Sequence, residues 1–151
     1  MNWDTYFLDI AEVVKRKSKD PSTQIGVVIA RQSKEIITTG FNGFPRGIEE
    51  AIDSRWERPI KYEYVEHAER NAIYNAARIG VSVQGATLYM VGMGPPTAPC
   101  TECAKAIIQS GIVRVVGRPY REVPDRWTSN FDFAVALLAE AGIEFEEVEV
   151  E

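Results

Sequence analysis

The chain has 151 residues, 45% of them apolar and 10% aromatic, which suits one domain spanning residues 1–151 with a proper core and excludes disordered and collagen-like classes. Its formal charge of −5 sets the overall field against long polyanions and argues against a stable nucleic-acid partner. There is no run of eighteen apolar residues, and MNWDTYFLDI is acidic and amphipathic where a signal peptide needs a basic patch and an apolar stretch, so the expectation is a cytoplasmic protein with no membrane span.

Taken in chain order, Tyr6, Phe7, Ile10, Val13 and Val14 fall at helical spacing and predict a helix from about Trp3 to Arg16 with those side chains as its buried stripe. Lys19, Asp20 and Pro21 end it. The β-branched runs Ile25 to Ala30 and Ile36 to Thr39, separated by the polar stretch Arg31 to Lys34, read as a hairpin. GFNGFPRG, residues 40–47, reads as a loop, and residues 48–64 as an irregular surface excursion. A second helix is expected over Val65 to Ile79, with Ala68, Ala72, Ile73, Ala76 and Ile79 packing inward and Gly80 as its stop. A strand over Thr87 to Val91 follows, then a helix opening at Pro99 or Cys100 and ending near Ser110 before Gly111. Ile112 to Val116 reads as a buried strand, Phe131 to Ala141 as a last helix stopped by Gly142, and Ile143 to Val148 as an edge strand. The order αββαβαβαβ predicts a three-layer α/β/α architecture: a mixed five-stranded sheet, mostly parallel, with one antiparallel member from the hairpin and helices on both faces.

The chemistry-bearing residues are few. His67 is the one histidine, placed two residues before Glu69, and Cys100 and Cys103 are the two cysteines, in the run Pro99-Cys100-Thr101-Glu102-Cys103. One imidazole and two thiolates make three ligands for zinc, and three ligands with a fourth position open to water is the catalytic arrangement; a structural site needs a fourth protein ligand. The positive end of a helix dipole favours the thiolate form that zinc binds. Glu69 is too close to His67 to be a comfortable second ligand, yet near enough to reach that water and shuttle its protons. A redox-active C-x-x-C would leave His67-Ala68-Glu69 without purpose.

H-x-E with P-C-x-x-C is the signature of zinc-dependent nucleobase deaminases. With SKDPSTQIGVVI (18–29), TGFNGFPRG (39–47), KYEYVEHAERNAI (61–73), GATLYM (85–90) and PCTECAKAIIQSGI (99–112), the chain resembles the deoxycytidylate (dCMP) deaminases of the cytidine deaminase superfamily over nearly its whole length. The resemblance implies that fold, deamination of dCMP to dUMP with release of ammonia as a step toward dTTP, zinc on His67, Cys100 and Cys103, and Glu69 as acid and base. It assigns Asn42, Ala68 and Tyr120 to the substrate. Asn42 read alone is also a turn residue tolerating positive φ beside Gly43, and Tyr120 a packing phenol. The resemblance further implies a homo-oligomer, hexamer or dimer, with dCTP and dTTP as effectors, Mg2+ accompanying the triphosphate, and Gly43, Arg46 and Arg78 as effector or phosphate contacts. Arg78 is equally an exposed helix-end cation.

Two departures stand out. No His or Cys is left over for a second, structural zinc, so one zinc per chain is expected. Val91 to Pro99, VGMGPPTAP, is longer than the family's link before the first cysteine; it reads equally as a reshaped base pocket, a changed phosphate contact or a surface flap. The rival readings are deamination of another cytosine nucleotide (dCTP or a 5-modified dCMP), of a nucleoside or of RNA, and a zinc-stabilised scaffold.

Overall fold

The computed structural model of the chain describes residues 1–92, 98–119 and 125–149, with the backbone alone for 125–127. Its five strands, β1 (Gly26–Ala30), β2 (Ile36–Phe41), β3 (Thr87–Val91), β4 (Arg114–Arg118) and β5 (Glu144–Glu147), form one sheet in the order β2-β1-β3-β4-β5. β1 is antiparallel to both neighbours, while β3, β4 and β5 run parallel. The mixed sheet with a single reversed member is thus the one the sequence predicts.

β1 and β3 are buried along their whole length, as strands covered on both faces must be. On one face Val27, Ile29, Leu88, Met90 and Val115 pack with side chains of α3 (Ala68–Ile79), α4 (Thr101–Ser110) and α5 (Asp125–Glu140). On the other, Val28, Ala30, Tyr89, Val91 and Val116 meet α1 (Trp3–Lys15). α3 lies so close to β2 that a Cβ on Gly40 would fall 2.5 Å from the Ala72 amide nitrogen and 2.6 Å from the Ala68 carbonyl oxygen. Only glycine fits there, and the contact fixes the helix that carries Glu69.

α1 presents a different stripe from the one expected. Phe7, Leu8 and Ala11 are fully buried, whereas Tyr6 is 40% and Val13 55% exposed. The helix carries apolar residues on more than one face, and the sheet selects the face whose small Ala11 allows close approach: a Cβ on Gly26 would sit 2.1 Å from the Ala11 carbonyl oxygen. Ile79 likewise is 64% exposed at the end of α3. α3 itself starts at Ala68, three residues later than expected, and Gly80, Gly111 and Gly142 all take the left-handed conformation expected of helix stops.

β4 begins and ends two residues later than its apolar run, because Arg118 is drawn into the sheet. Its guanidinium is 2.9 Å from Asp9 of α1, which offsets the burial of its charge. α5 starts six residues before Phe131, through a polar turn that periodicity does not reveal. The excursion over 48–64 holds a 3-10 turn (Asp53–Trp56) and a short α2 (Lys61–Tyr64). Phe44 organises it, stacked on Trp56 at 4.2 Å and on Tyr64 at 5.1 Å between ring centroids. No helix among the described residues is long and apolar enough to cross a membrane.

Candidate metal centre and active site

Two helix starts build the site. His67 is the N-cap of α3 and Cys100 the N-cap of α4, both with extended backbone. Neither side chain caps its own helix, since each is turned toward the other. His67 Nδ1 lies 3.4 Å from the Sγ of Cys100 and 3.4 Å from that of Cys103. The three ligand atoms all fall within 4.8 Å of one another, so the trio could hold a metal ion. Cys103 is fully buried in the first turn of α4, and Cys100 is half-buried.

Hydrogen bonds around the start of α3 hold this convergence. Glu66 accepts a hydrogen bond from the His67 amide at 3.0 Å and another from Arg70 Nε at 2.6 Å, which pins the entry to α3. Asn71 Nδ2 donates to the Phe41 carbonyl and Asn75 Nδ2 to the Thr39 carbonyl, both at 2.8 Å. Those carbonyls would otherwise be the open edge of β2. Gly43 exchanges two backbone hydrogen bonds with Glu66, bringing the GFNG loop against the residue before His67.

The electrostatics follow from two thiols and an imidazole sharing one buried space. Cys100 is pulled down to about 4, first by the hydrogen bond from Cys103, with burial opposing and His67 adding. Cys103 is pushed up by that same bond, by its burial and by the negative charge of Glu69. His67 is raised by its bond to Cys100 against the effect of burial. One imidazole and two sulfurs form a donor set suited to zinc, and a divalent ion would take the place of the protons that the cluster otherwise shares.

Glu69, next to the trio on α3, is 3% exposed. Its Oε1 is buried with no hydrogen-bond partner among the described residues. Burial drives this carboxyl above the ordinary glutamate range, and the charge of His67 only partly offsets that. A buried carboxylate oxygen without a partner is costly. Beside a metal-ligating trio, it is placed to meet a substrate or a water.

Most of the other sequence-assigned residues play local parts. Asn42 is 6% exposed, and its φ is not in the positive range. Its Oδ1 accepts from the Ile25 amide at 2.8 Å, and its Nδ2 donates to the Thr23 carbonyl at 2.8 Å and to Asp20 at 3.2 Å. It is neither a free turn residue nor a free donor, since both amide hydrogens are used within the chain. Ala68 is fully buried in the first turn of α3. Arg46 Nη2 bonds Asn75 Oδ1 at 2.7 Å on the outer side of α3. Arg78 is exposed in the last turn, at the far end of α3 from His67, about 16 Å along the axis. Tyr120, and residues 93–97 of the 91–99 insertion, lie outside the described residues.

A model of the cytidine and deoxycytidylate deaminase zinc-binding region matches residues 1–118. The chain belongs to this family. A deaminase encoded in the luxG 3′ region of Aliivibrio fischeri is 37% identical over 143 residues, covering 94% of this chain and 90% of its own. The mouse deoxycytidylate deaminase is 38% identical over 122 residues, or 77% of this chain, and the match spans 64% of the mouse protein's length. Among solved structures, the dCMP deaminase of cyanophage S-TIM5 in complex with dCMP and dUMP superposes with a TM-score of 0.74 at 26% identity, covering 95% of each chain. The α/β cytidine deaminase-like fold is thereby shared with these proteins. The family's zinc-binding region, here residues 1–118, includes His67, Glu69, Cys100 and Cys103.

Buried groups that sequence reasoning missed are Asp20 and Lys61. Lys61 Nζ lies 2.8 Å from one Asp20 oxygen, 3.0 Å from the other and 3.1 Å from Ser22 Oγ. The Asp20 carboxylate also accepts from the Ser22 and Thr23 amides. That last pattern was available in the order Asp-Pro-Ser-Thr, which favours an aspartate turned back onto the amides that follow it. Nothing local in the sequence points from Asp20 to Lys61.

Proposed function

We propose that the chain is a zinc-dependent deaminase that converts dCMP to dUMP and ammonia. One observation carries the reading: an imidazole and two sulfurs converge beside a carboxylate oxygen that is buried and otherwise unpartnered. His67, Cys100 and Cys103 hold one zinc per chain, the whole His and Cys complement of the sequence. Bound there, zinc supplies a Lewis acid that brings the pKa of a coordinated water to roughly 7.

Glu69 does the proton work. It takes a proton from the attacking water, delivers it to N3 as oxygen adds to C4, and then carries the proton of the new C4 hydroxyl to the exocyclic amine. The C4–N4 bond then breaks, ammonia leaves, and the ring keeps the oxygen as uracil. A carboxyl raised by burial is a stronger base toward water than an exposed one, and once protonated it holds that proton for the return step. Asn42 holds the loop at residues 40–47 against the 18–25 segment, and so places Gly43 and Glu66 behind His67.

The free nucleotide is the substrate class favoured by the net charge of −5 and by the dCMP and dUMP bound in the cyanophage relative. In this reading the chain supplies a precursor of dTTP as a cytoplasmic homo-oligomer. Its effectors are dCTP with Mg2+ and dTTP, contacting the Gly43 loop, and Tyr120 is the tyrosine that the family resemblance assigns to the substrate. The test is ammonia release by zinc-loaded protein from dCMP, dCTP, CMP, deoxycytidine and 5-methyl-dCMP side by side. Turnover led by dCMP is the expected result. A lead by dCTP or 5-methyl-dCMP would overturn dCMP as substrate and place specificity in the 91–99 insertion, and silence on all five would remove the nucleotide deaminase reading.

A further inference from the structure

The helix that carries two of the three metal ligands lacks a cap of its own. An N-cap side chain ordinarily accepts a hydrogen bond from one of the first free amides of its helix, and Ser, Thr, Asp and Asn serve best. Cys100 holds that position in α4, and no side-chain cap bond is formed there while its sulfur faces His67. The missing acceptor comes instead from Asn130 of α5. Asn130 Oδ1 accepts from the Thr101 amide at 2.9 Å, and Thr101 Oγ1 donates back to the Asn130 carbonyl at 3.2 Å.

We infer that Asn130 is a positioning residue for the metal-binding turn: by capping α4 through Thr101, it sets how tightly the Cys100-Thr101-Glu102-Cys103 segment holds its metal. The match to the zinc-binding region ends at Arg118, so α5 brings to the site a residue from outside that region. The inference rests on the metal-site reading above, but its readout is metal affinity and not turnover.

The two bonds act on residue 101, between the two ligands. Losing the acceptor leaves the Thr101 amide half-buried and unpaired and frees the first turn of α4 to shift. Residues that orient metal ligands from behind typically change affinity about 10–100-fold when removed.

The experiment is competition of the whole chain against a chromophoric chelator for Zn2+. It compares wild type, Asn130→Ala, Asn130→Asp and Leu138→Ala, a change in the buried face of α5 that touches no ligand. Asn130→Ala is expected to weaken zinc binding about 10-fold or more. Asn130→Asp, which keeps the acceptor, should stay within about 3-fold of wild type, and Leu138→Ala should lower stability while the folded protein binds as before. Wild-type affinity in Asn130→Ala, or equal weakening in the alanine and aspartate variants, would overturn the assignment. Should Asn130→Ala not fold, Asn130→Leu decides. It keeps the branched shape of the side chain and removes the acceptor, so weakened zinc binding supports the role and unchanged binding refutes it. A wild-type chain that takes up no zinc would instead sink the metal-site reading itself.

Discussion

Glu69→Gln is expected to keep its zinc and lose its turnover. The two side chains have nearly the same shape, so the buried space beside His67 and the Cys pair stays filled, and the ligands are not touched. What disappears is a group able to accept a proton from water and return it to the amine, a function typically contributing about 10²–10⁴-fold in rate. Metal content by atomic absorption should match wild type while kcat falls by that factor. The pH profile carries the same signature. Only the deprotonated carboxyl acts as the base, so the wild-type rate should fall on the acid side as Glu69 is protonated, and that limb should be missing from the residual rate of the variant. A glutamine variant with wild-type kcat would remove Glu69 from the proton path.

The second large effect is on stability. Lys61 and Asp20 are 6% and 5% exposed and bonded to each other. Removing one partner of a buried pair strands the other charge, at a typical loss of about 3–5 kcal/mol. Lys61→Ala should show that loss in urea unfolding, whereas Asp20→Asn with Lys61→Met, which removes both charges, should lose much less. Burial by itself raises the Asp20 carboxyl, but the hydrogen bonds from Lys61 and from the Ser22 and Thr23 amides outweigh it and leave the carboxyl below 3.8. With the folded value depressed, the stabilisation is complete above the unfolded value near 3.8 and is lost as pH falls below it. Wild type should thus show this part of its acid destabilisation below that pH, and the double variant should lack it. Equal stability of Lys61→Ala and wild type would mean that the pair contributes nothing net.

Legibility in the sequence followed the kind of signal each feature leaves. The order of elements, the reversed strand and the three-ligand cluster were readable because apolar period, glycine stops and C-x-x-C spacing are local patterns. The buried face of α1 was not: Tyr6, Phe7, Leu8, Ile10, Ala11, Val13 and Val14 offer more than one apolar stripe, and the choice is made by the close approach of Ala11 to Gly26. Arg118 falls past the end of its strand as the sequence reads, and it is drawn in by Asp9 of α1, far away in sequence. The bonds that Asn42 makes were equally hidden, because a side chain at the centre of a knot drawn from residues 20–25 looks, one residue at a time, like any loop asparagine. Asn130 was invisible for the same reason, as its partner is the amide of Thr101, 29 positions earlier. Long-range polar pairing leaves no periodic trace, and it is what positions this site.

The most direct test of the account is a zinc titration of the chelator-stripped chain with dCMP as substrate, reading ammonia release. The expected result is no turnover without metal and a linear return of activity that breaks at one equivalent of zinc per chain, as three ligands and no spare His or Cys require. Full activity in the stripped protein, or a break at two equivalents, would contradict the assignment of His67, Cys100 and Cys103 as the site where the chemistry occurs.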